Sequence, residues 1–458
     1  MLGAVTGLAG VGVCAADEDH WTIIHAGALL AVPGSSVEPA SSIVVRNDRI
    51  VDIRRGFISA ADIKSDTTGP VTTIELGGRF VLPGLIDSHV HLTEQYSARF
   101  KLDAVTRSAS DRAIDGVPAA WRTLMAGFTT VRDLHAEPEA VLALRNGIRA
   151  GKVEGPRIVA AGASISPTGG HSDAENGYRS DLRLPSSADA VCDGADSCRA
   201  MVRSQIKYGA DVIKVMAGGG ILDDSRGGLE QQLTDEELRA IVETAHVLGR
   251  KVAAHAHGPG AIRAALRAGA DSIEHGTLID ADGIELLKSK GAYLVPTLMA
   301  PNTVSANLEI PGYYPDAIRE KALTVTRLAG KSVKAAIKAG VKLAFGTDSG
   351  VSEHGCNAEE FALLVKAGVS PMEAIRTATI NAADLLGLAG EVGSLKPGMQ
   401  ADIIAVDESP LDDITELKHV SFVMKGGIVY KSPAADPSAQ GQKARDPGQR
   451  CGVASSAR

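Results

Sequence analysis

Aromatic residues make up only 3% of this 458-residue chain, too few for the stacking platforms that single-stranded nucleic acid requires. Basic residues are not in excess either. Forty-seven Lys and Arg stand against 55 Asp and Glu, for a formal charge of −8, and no basic stripe marks a nucleic-acid footprint. No charge-free apolar run is long enough to span a bilayer. No Gly-rich phosphate loop follows the first expected strand, which counts against a doubly wound nucleotide-binding sheet. Cysteines number five. Cys192 and Cys198 close a short polar stretch that suits a small disulfide loop in an oxidising compartment; Cys14, Cys356 and Cys451 carry no clear reading.

What is present is an ordinary globular composition, 44% hydrophobic and 22% charged, with 50 glycines that punctuate helix ends. The uncharged stretch 1–16 ends in Val13-Cys14-Ala15-Ala16 before Asp17-Glu18-Asp19, which resembles a signal cleavage site without its positive start. This reads as a truncated export signal and places the protein in the periplasm or outside the cell, with the cytoplasm as the alternative. Residues 432–458 are rich in Pro, Gly, Ser, Gln and Ala and read as a disordered tail.

Short alternating strands recur at both ends, in 17–79 (Ser42-Ile-Val-Val, Arg49-Ile-Val-Asp-Ile) and in 386–431 (Ala401 to Asp407, Val420 to Tyr430). The two segments are expected to build one small β-sandwich. Between them, over 80–385, helical stretches end in Gly and a β-branched strand follows at once, at Gly127, Gly209, Gly249, Gly269, Gly291 and Gly340. Counting also Phe80 to Ile86 and Arg157 to Ala161, eight strands fall between 80 and 348. The expectation is an α/β fold, a (β/α)8 TIM barrel with its chemistry at the C-terminal strand ends.

Polar residues stand where that barrel mouth should be. The first strand delivers His89-Val-His91, whose imidazoles share a face because side chains alternate along a strand. Twelve histidines give roughly 0.3 His-x-His pairs by chance, so this pair alone says little. A second pair, His255-Ala-His257, ends the fifth strand; Lys214 interrupts the apolar fourth, His275 ends the sixth and Asp348 the eighth. Distant segments thus bring metal-ligand residue types to one rim. Loop histidines His171 and His354 are candidate substrate contacts, though a turn-capping role fits the same positions; His135, Tyr178, Arg179 and Arg226 are weaker loop candidates. The run Gly218–Gly220 lacks the lysine and hydroxyl of a phosphate loop and reads as a close approach of backbone to the site.

The stretches Leu82-Pro-Gly-Leu-Ile-Asp-Ser-His-Val-His91, Ile213 to Gly220, Ala253 to Gly258, Ser272 to Thr277 and Gly346 to Gly350 resemble the amidohydrolase superfamily. The resemblance is strongest to its imidazolonepropionase-like branch of Xaa-Pro and Xaa-Arg dipeptidases and ochratoxin-type amide hydrolases. It implies two divalent metal ions, zinc by expectation, with His89, His91 and Asp348 on one and His255 and His275 on the other. Lys214, as N6-carboxylysine, would bridge them; a buried amine favours its uncharged, carbamate-forming state. Deaminase-like members lack this lysine and carry a glutamate after the fifth strand, where this chain has Gly-Pro-Gly-Ala.

The implied chemistry is hydrolysis of small amides, such as dipeptides, N-acyl amino acids or ochratoxin-like compounds. A metal-bridging hydroxide attacks, Asp348 shuttles the proton, and His257 contacts the carbonyl oxygen or a substrate carboxylate. Cyclic-amide hydrolysis and lactone hydrolysis are the rival activities, and a scaffold that has kept the fold is the non-enzymatic one. The expected partner is a small-molecule or dipeptide-like substrate, with neither nucleic acid nor membrane, and family resemblance points to a homo-oligomer.

Overall fold

The computed structural model describes residues 19–64, 69–182, 184, 190–223, 228–433 and 451. The signal-like segment, Arg226 and all of the tail after residue 433 except Cys451 lie outside them. Among the described residues, fifteen strands divide between a small sheet and a barrel. The small sheet takes β1 (Trp21–Leu29), β2 (Ser41–Arg46), β3 (Arg49–Arg55) and β4 (Val71–Pro83). The barrel takes β5 (Leu85–Val90), β6 (Phe128–Asp133), β7 (Arg157–Ala160), β8 (Ile213–Met216), β9 (Val252–Ala256), β10 (Ser272–His275), β11 (Tyr293–Val295) and β12 (Lys342–Leu343). The chain then returns to the small sheet with β13 (Ile403–Val406), β14 (Phe422–Lys425) and β15 (Ile428–Lys431).

The small sheet runs β15-β14-β13-β4-β1-β2-β3, so strands from both chain ends share one hydrogen-bonded layer. It curls until Ile50 donates to the Met399 carbonyl and Ala401 to that of Asp48. Inside the curl, Ile24, Leu29, Ile43, Ile50, Val81, Ile403 and Phe422 form a core of their own. β1 and β2 are buried along most of their length because alternate residues serve two cores, Ile24, Ile43 and Val45 this one and Trp21, Ile23 and Val44 a second cluster with Ile63.

The eight barrel strands are parallel within two sheets, β5-β6-β7 and β8 to β12. Ile165, just past β7, pairs with Val215, and Val90 pairs with Ser349. Those two contacts join the sheets into a closed ring. Helices between the strands cover the outside, and the six glycines read as helix stops all take positive φ, from 66° to 111°. Among the described residues no helix is long and apolar enough to cross a membrane.

One expected element divides in two. The sequence pattern makes the apolar run from Phe80 to Ile86 a single barrel strand, but Phe80 to Pro83 pair with β13 in the small sheet, and the barrel begins at Leu85. Gly84 marks the crossing. A Cβ there would meet the Thr129 side chain at 2.3 Å, so only glycine lets the chain pass so close to β6. Both halves are apolar because both layers bury them.

Cys192 and Cys198 are disulfide-bonded, with Cα atoms 5.0 Å apart. Cys356 and Cys451, for which spacing offers no pattern, form a second disulfide across 95 residues.

Candidate active site

At the C-terminal ends of the barrel strands lies a cavity of about 350 Å³. His89, His91, Lys214, His255, His257, His275 and Asp348 all line it. Their donor atoms fall into two groups. His89, His91 and Asp348 offer atoms within 4.8 Å of one another, and so do His255, His257 and His275. The His89 and His275 rings, 5.0 Å apart, join the groups.

Strand alternation explains each placement. His89 and His91 leave the end of β5 on one face, and His255 does the same on β9. His257, one residue past β9, shares that face and packs edge-on against His255 at 4.8 Å. His257, read as a substrate contact beside a ligand, thus stands among three converging imidazoles.

The backbone is strained at the rim. His275, Thr297 and Asp348 adopt φ of 69°, 48° and 60°, a left-handed conformation costing about 1–3 kcal/mol per non-glycine residue. Local bonds hold it in place: Asp348 N–H donates to the His89 carbonyl at 2.8 Å, and His275 Nδ1 bonds Thr297 Oγ1 at 2.7 Å. Glycines make room around these residues. A Cβ on Gly346 would sit 2.9 Å from that of His89, and one on Gly350 would sit 2.7 Å from that of His91. The run Gly218–Gly220 is needed for the same reason. Gly219 abuts the Gly228 carbonyl and Gly220 the His171 ring, with no space for a side chain at either.

A layer of partners behind the histidines was not read from the sequence. His89 Nδ1 bonds Glu274 at 2.8 Å, and Glu274 is clamped by Arg132 at 2.9 Å. All three side chains are buried. His91 Nδ1 donates to the His135 carbonyl at 3.0 Å, and His257 Nδ1 bonds Thr277 Oγ1 at 2.8 Å. Below them, Asp87 accepts from Thr347 Oγ1 (2.6 Å) and Asn357 Nδ2 (2.7 Å), stapling β5 to the segment after β12. The available signal was a charge inside a short apolar strand: Glu274 and Arg132 cannot be buried alone.

The electrostatics favour metal ligation. Burial pushes His89 down to about 4 and His257 to about 3, and takes His255 and His275 well below the usual imidazole range. Such rings stay neutral, as ligation requires. His91 departs from this: burial opposes its charge, but the bond and the charge of Asp348 prevail and hold it at about 9. Burial lowers Lys214 to about 8. The positive charge of Lys214 is felt by His89 in one group and by His255, His257 and His275 in the other, so the lysine lies near both. Imidazoles oriented by buried partners, one carboxylate and a desolvated amine fit divalent transition-metal ions.

Of the loop candidates, His171 lines the cavity, with its Nδ1 on the Asp223 carboxylate and its ring 4.4 Å from that of His255. His135 and Tyr178 also line it. His354, expected as a substrate contact, is not among the lining residues. It is 3% exposed and its Nε2 donates to the Glu94 carbonyl at 2.8 Å, which ties the loop after β12 to the one after β5. Arg179 points to solvent and pairs with Asp181.

A barrel whose strand ends gather residues able to hold metal ions suits a hydrolase, and the comparisons with known proteins give its family. The chain belongs to the amidohydrolase family, whose model matches residues 80–429. Ochratoxinase of Aspergillus niger is 34% identical over 95% of this chain and 91% of its own length. A solved Xaa-Pro dipeptidase with methionine in its active site superposes with a TM-score of 0.84 at 39% identity, covering 90% of this chain and all of that one. The crystal structure of the A. niger ochratoxinase gives a TM-score of 0.78 at 30% identity, over 94% of this chain and 100% of the other. The protein is a hydrolytic enzyme with an amidohydrolase fold.

Proposed function

We propose that this chain hydrolyses the amide bond of small substrates, dipeptides or N-acyl amino acids and their ochratoxin-like relatives, at a two-metal centre. His89, His91 and Asp348 would hold one ion and His255 and His275 the other, with Lys214 between them as a carbamate. The observation that carries this reading is the convergence of two ligand groups on one cavity, with a buried lysine whose charge reaches both. The names of the relatives support the substrate class.

Bound divalent ions would supply Lewis acidity and lower the pKa of water. Burial lowers Lys214 from its usual 10.5 to about 8, which enlarges the free-amine fraction that would add to CO2, releasing one proton and gaining an anionic head. Asp348 is the proton carrier. Burial opposes its charge, but the histidines around it hold its carboxyl well below the usual range. It accepts a proton from the attacking water and returns it to the departing nitrogen, the dual role of a positioned carboxylate. When Thr277 donates to His257 Nδ1, the proton stays on Nε2, which can then donate to the carbonyl oxygen as charge builds there. The apolar wall of Ile221, Leu222, Ala300 and Val304 excludes water from the reacting bond.

Chelation followed by zinc add-back, assayed on a library of dipeptides and N-acyl amino acids, tests the proposal. Loss and recovery of hydrolysis is the expected result. Full activity in protein stripped of metal would sink it.

A further inference from the structure

Glu360 lies in the first turn of the helix Glu359–Ala367 and is fully buried. A glutamate is almost never buried whole unless it is paired, so its partners are informative. Among the described residues they are two backbone groups and no cation. Oε1 accepts from the Leu298 N–H at 2.8 Å, and Oε2 accepts from the Met299 N–H at 2.7 Å. Leu298 and Met299 are the cap and first residue of the helix Met299–Asn307, whose opening N–H groups have no partner within the helix. The carboxyl of one helix thus caps the start of another.

The segment it caps continues the strained turn at the rim. Thr297, buried and held at φ 48°, immediately precedes Leu298, and its Oγ1 bonds His275 Nδ1 at 2.7 Å. A left-handed conformation at a non-glycine residue persists only where the surroundings over-determine it. Two bonds from one planar group provide that constraint, because they fix both the position and the direction of the chain just after Thr297. Burial pushes the Glu360 carboxyl well above its usual range in spite of the two N–H bonds. Both oxygens remain acceptors in either protonation state, so the brace does not depend on charge. Three residues earlier, Asn357 donates to Asp87 at 2.7 Å, two residues before His89. One short stretch therefore reaches behind both groups of histidines.

We propose that Glu360 is a positioning residue for the second group: by capping Leu298 and Met299 it holds Thr297 in its left-handed turn, and through the Thr297 hydroxyl it sets the ring of His275 for a metal ion. The inference rests on the two-metal reading of the site for the ion, but not for the orientation of the ring.

The test titrates zinc into metal-free protein by calorimetry and reads the histidine rings of the same protein by nitrogen NMR. Glu360→Gln keeps the shape but sets an amide donor against one of the two N–H groups. It should weaken the second zinc about fivefold, within the worth of one hydrogen bond, and leave the first unchanged. In the metal-free variant the His275 ring signal should shift while those of His89 and His91 hold. In a Thr297→Val background, where the ring has already lost its hydroxyl, Glu360→Gln should weaken the second zinc no further. Additive losses, equal losses at both zincs or an unmoved His275 signal would each overturn the proposal. Glu360→Asp, with both acceptors on a shorter arm, should fall between the intact protein and Glu360→Gln, and it carries the comparison if the glutamine variant does not fold. An aspartate variant indistinguishable from the intact protein would then overturn the proposal. Zinc that fails to bind the intact protein would refute the two-metal reading, and the ring signal would still decide the role of Glu360.

Discussion

The two groups of candidate metal ligands at the barrel mouth are built on different principles. His89 and His91 share their group with a carboxylate, and His89 is backed by another in Glu274, itself paired with Arg132. His255, His257 and His275 are imidazoles only; His257 and His275 lean on the hydroxyls of Thr277 and Thr297, and His255 lies 3.4 Å from the Gly219 carbonyl. The first group therefore concentrates negative charge around a prospective cation, while the second offers neutral donors. Anionic backing raises ligand basicity and cation affinity more than a hydroxyl does. If both groups hold a cation, this asymmetry predicts tighter binding at the first than at the second.

Removing the carboxylate that distinguishes the first group should have the largest effect. Asp348→Asn is expected to lower kcat by about 10²–10⁴-fold, the usual worth of a positioned general acid–base, and to lower metal content as well. A variant with intact turnover would show that the difference between the groups is not catalytic.

Glu274→Gln should act next in size, weakening metal affinity at the first group by about 10–100-fold, as loss of a ligand's orienting partner does. It should also change acid stability. Burial raises the Glu274 carboxyl, but Arg132, His89 and Lys214 outweigh burial and hold it at about 2, below its ordinary 4.5. A depressed carboxyl contributes stability that is complete above 4.5 and is lost as pH falls towards about 2. Acid unfolding of the metal-free protein should thus be steeper across that window than in Glu274→Gln. Identical pH slopes would remove the special standing of this carboxylate.

Thr297→Val should be the mildest. It takes a hydroxyl from His275 in the neutral group, and a lost neutral hydrogen bond is worth about 0.5–1.5 kcal/mol. A few-fold weakening of the second metal, with the first unchanged in a titration by isothermal calorimetry, is the expected result. Equal weakening of both would merge the two groups into one cooperative unit.

The histidines were legible in the sequence because period-two alternation and helix-stopping glycines act over a few residues. The candidate ligands at 89, 91, 255, 275 and 348 each stand at the end of a strand that could be drawn from its own neighbours. Glu274 was in plain view beside His275 yet had no reading, since its meaning depends on Arg132, which lies 142 residues away. His354 looked like a mouth residue and turned out to brace two loops, because nothing local says which way a loop side chain faces. The Cys356–Cys451 pair was hidden for the same reason.

The run from Phe80 to Ile86 shows where the line falls. Hydrophobicity, set by the residues alone, determined that this segment would be a buried strand. Which layer buries each half was decided by β13, more than 300 residues on, and by the narrow passage at Gly84. In the same way the sequence by itself determined a barrel with metal-ligand residues at its strand ends, because those patterns are local. Only the closed ring of eight strands decided that the residues form two unlike groups around Lys214, and that Glu360 reaches the turn behind His275. Convergence across the chain is a property of tertiary packing, and no local periodicity encodes it.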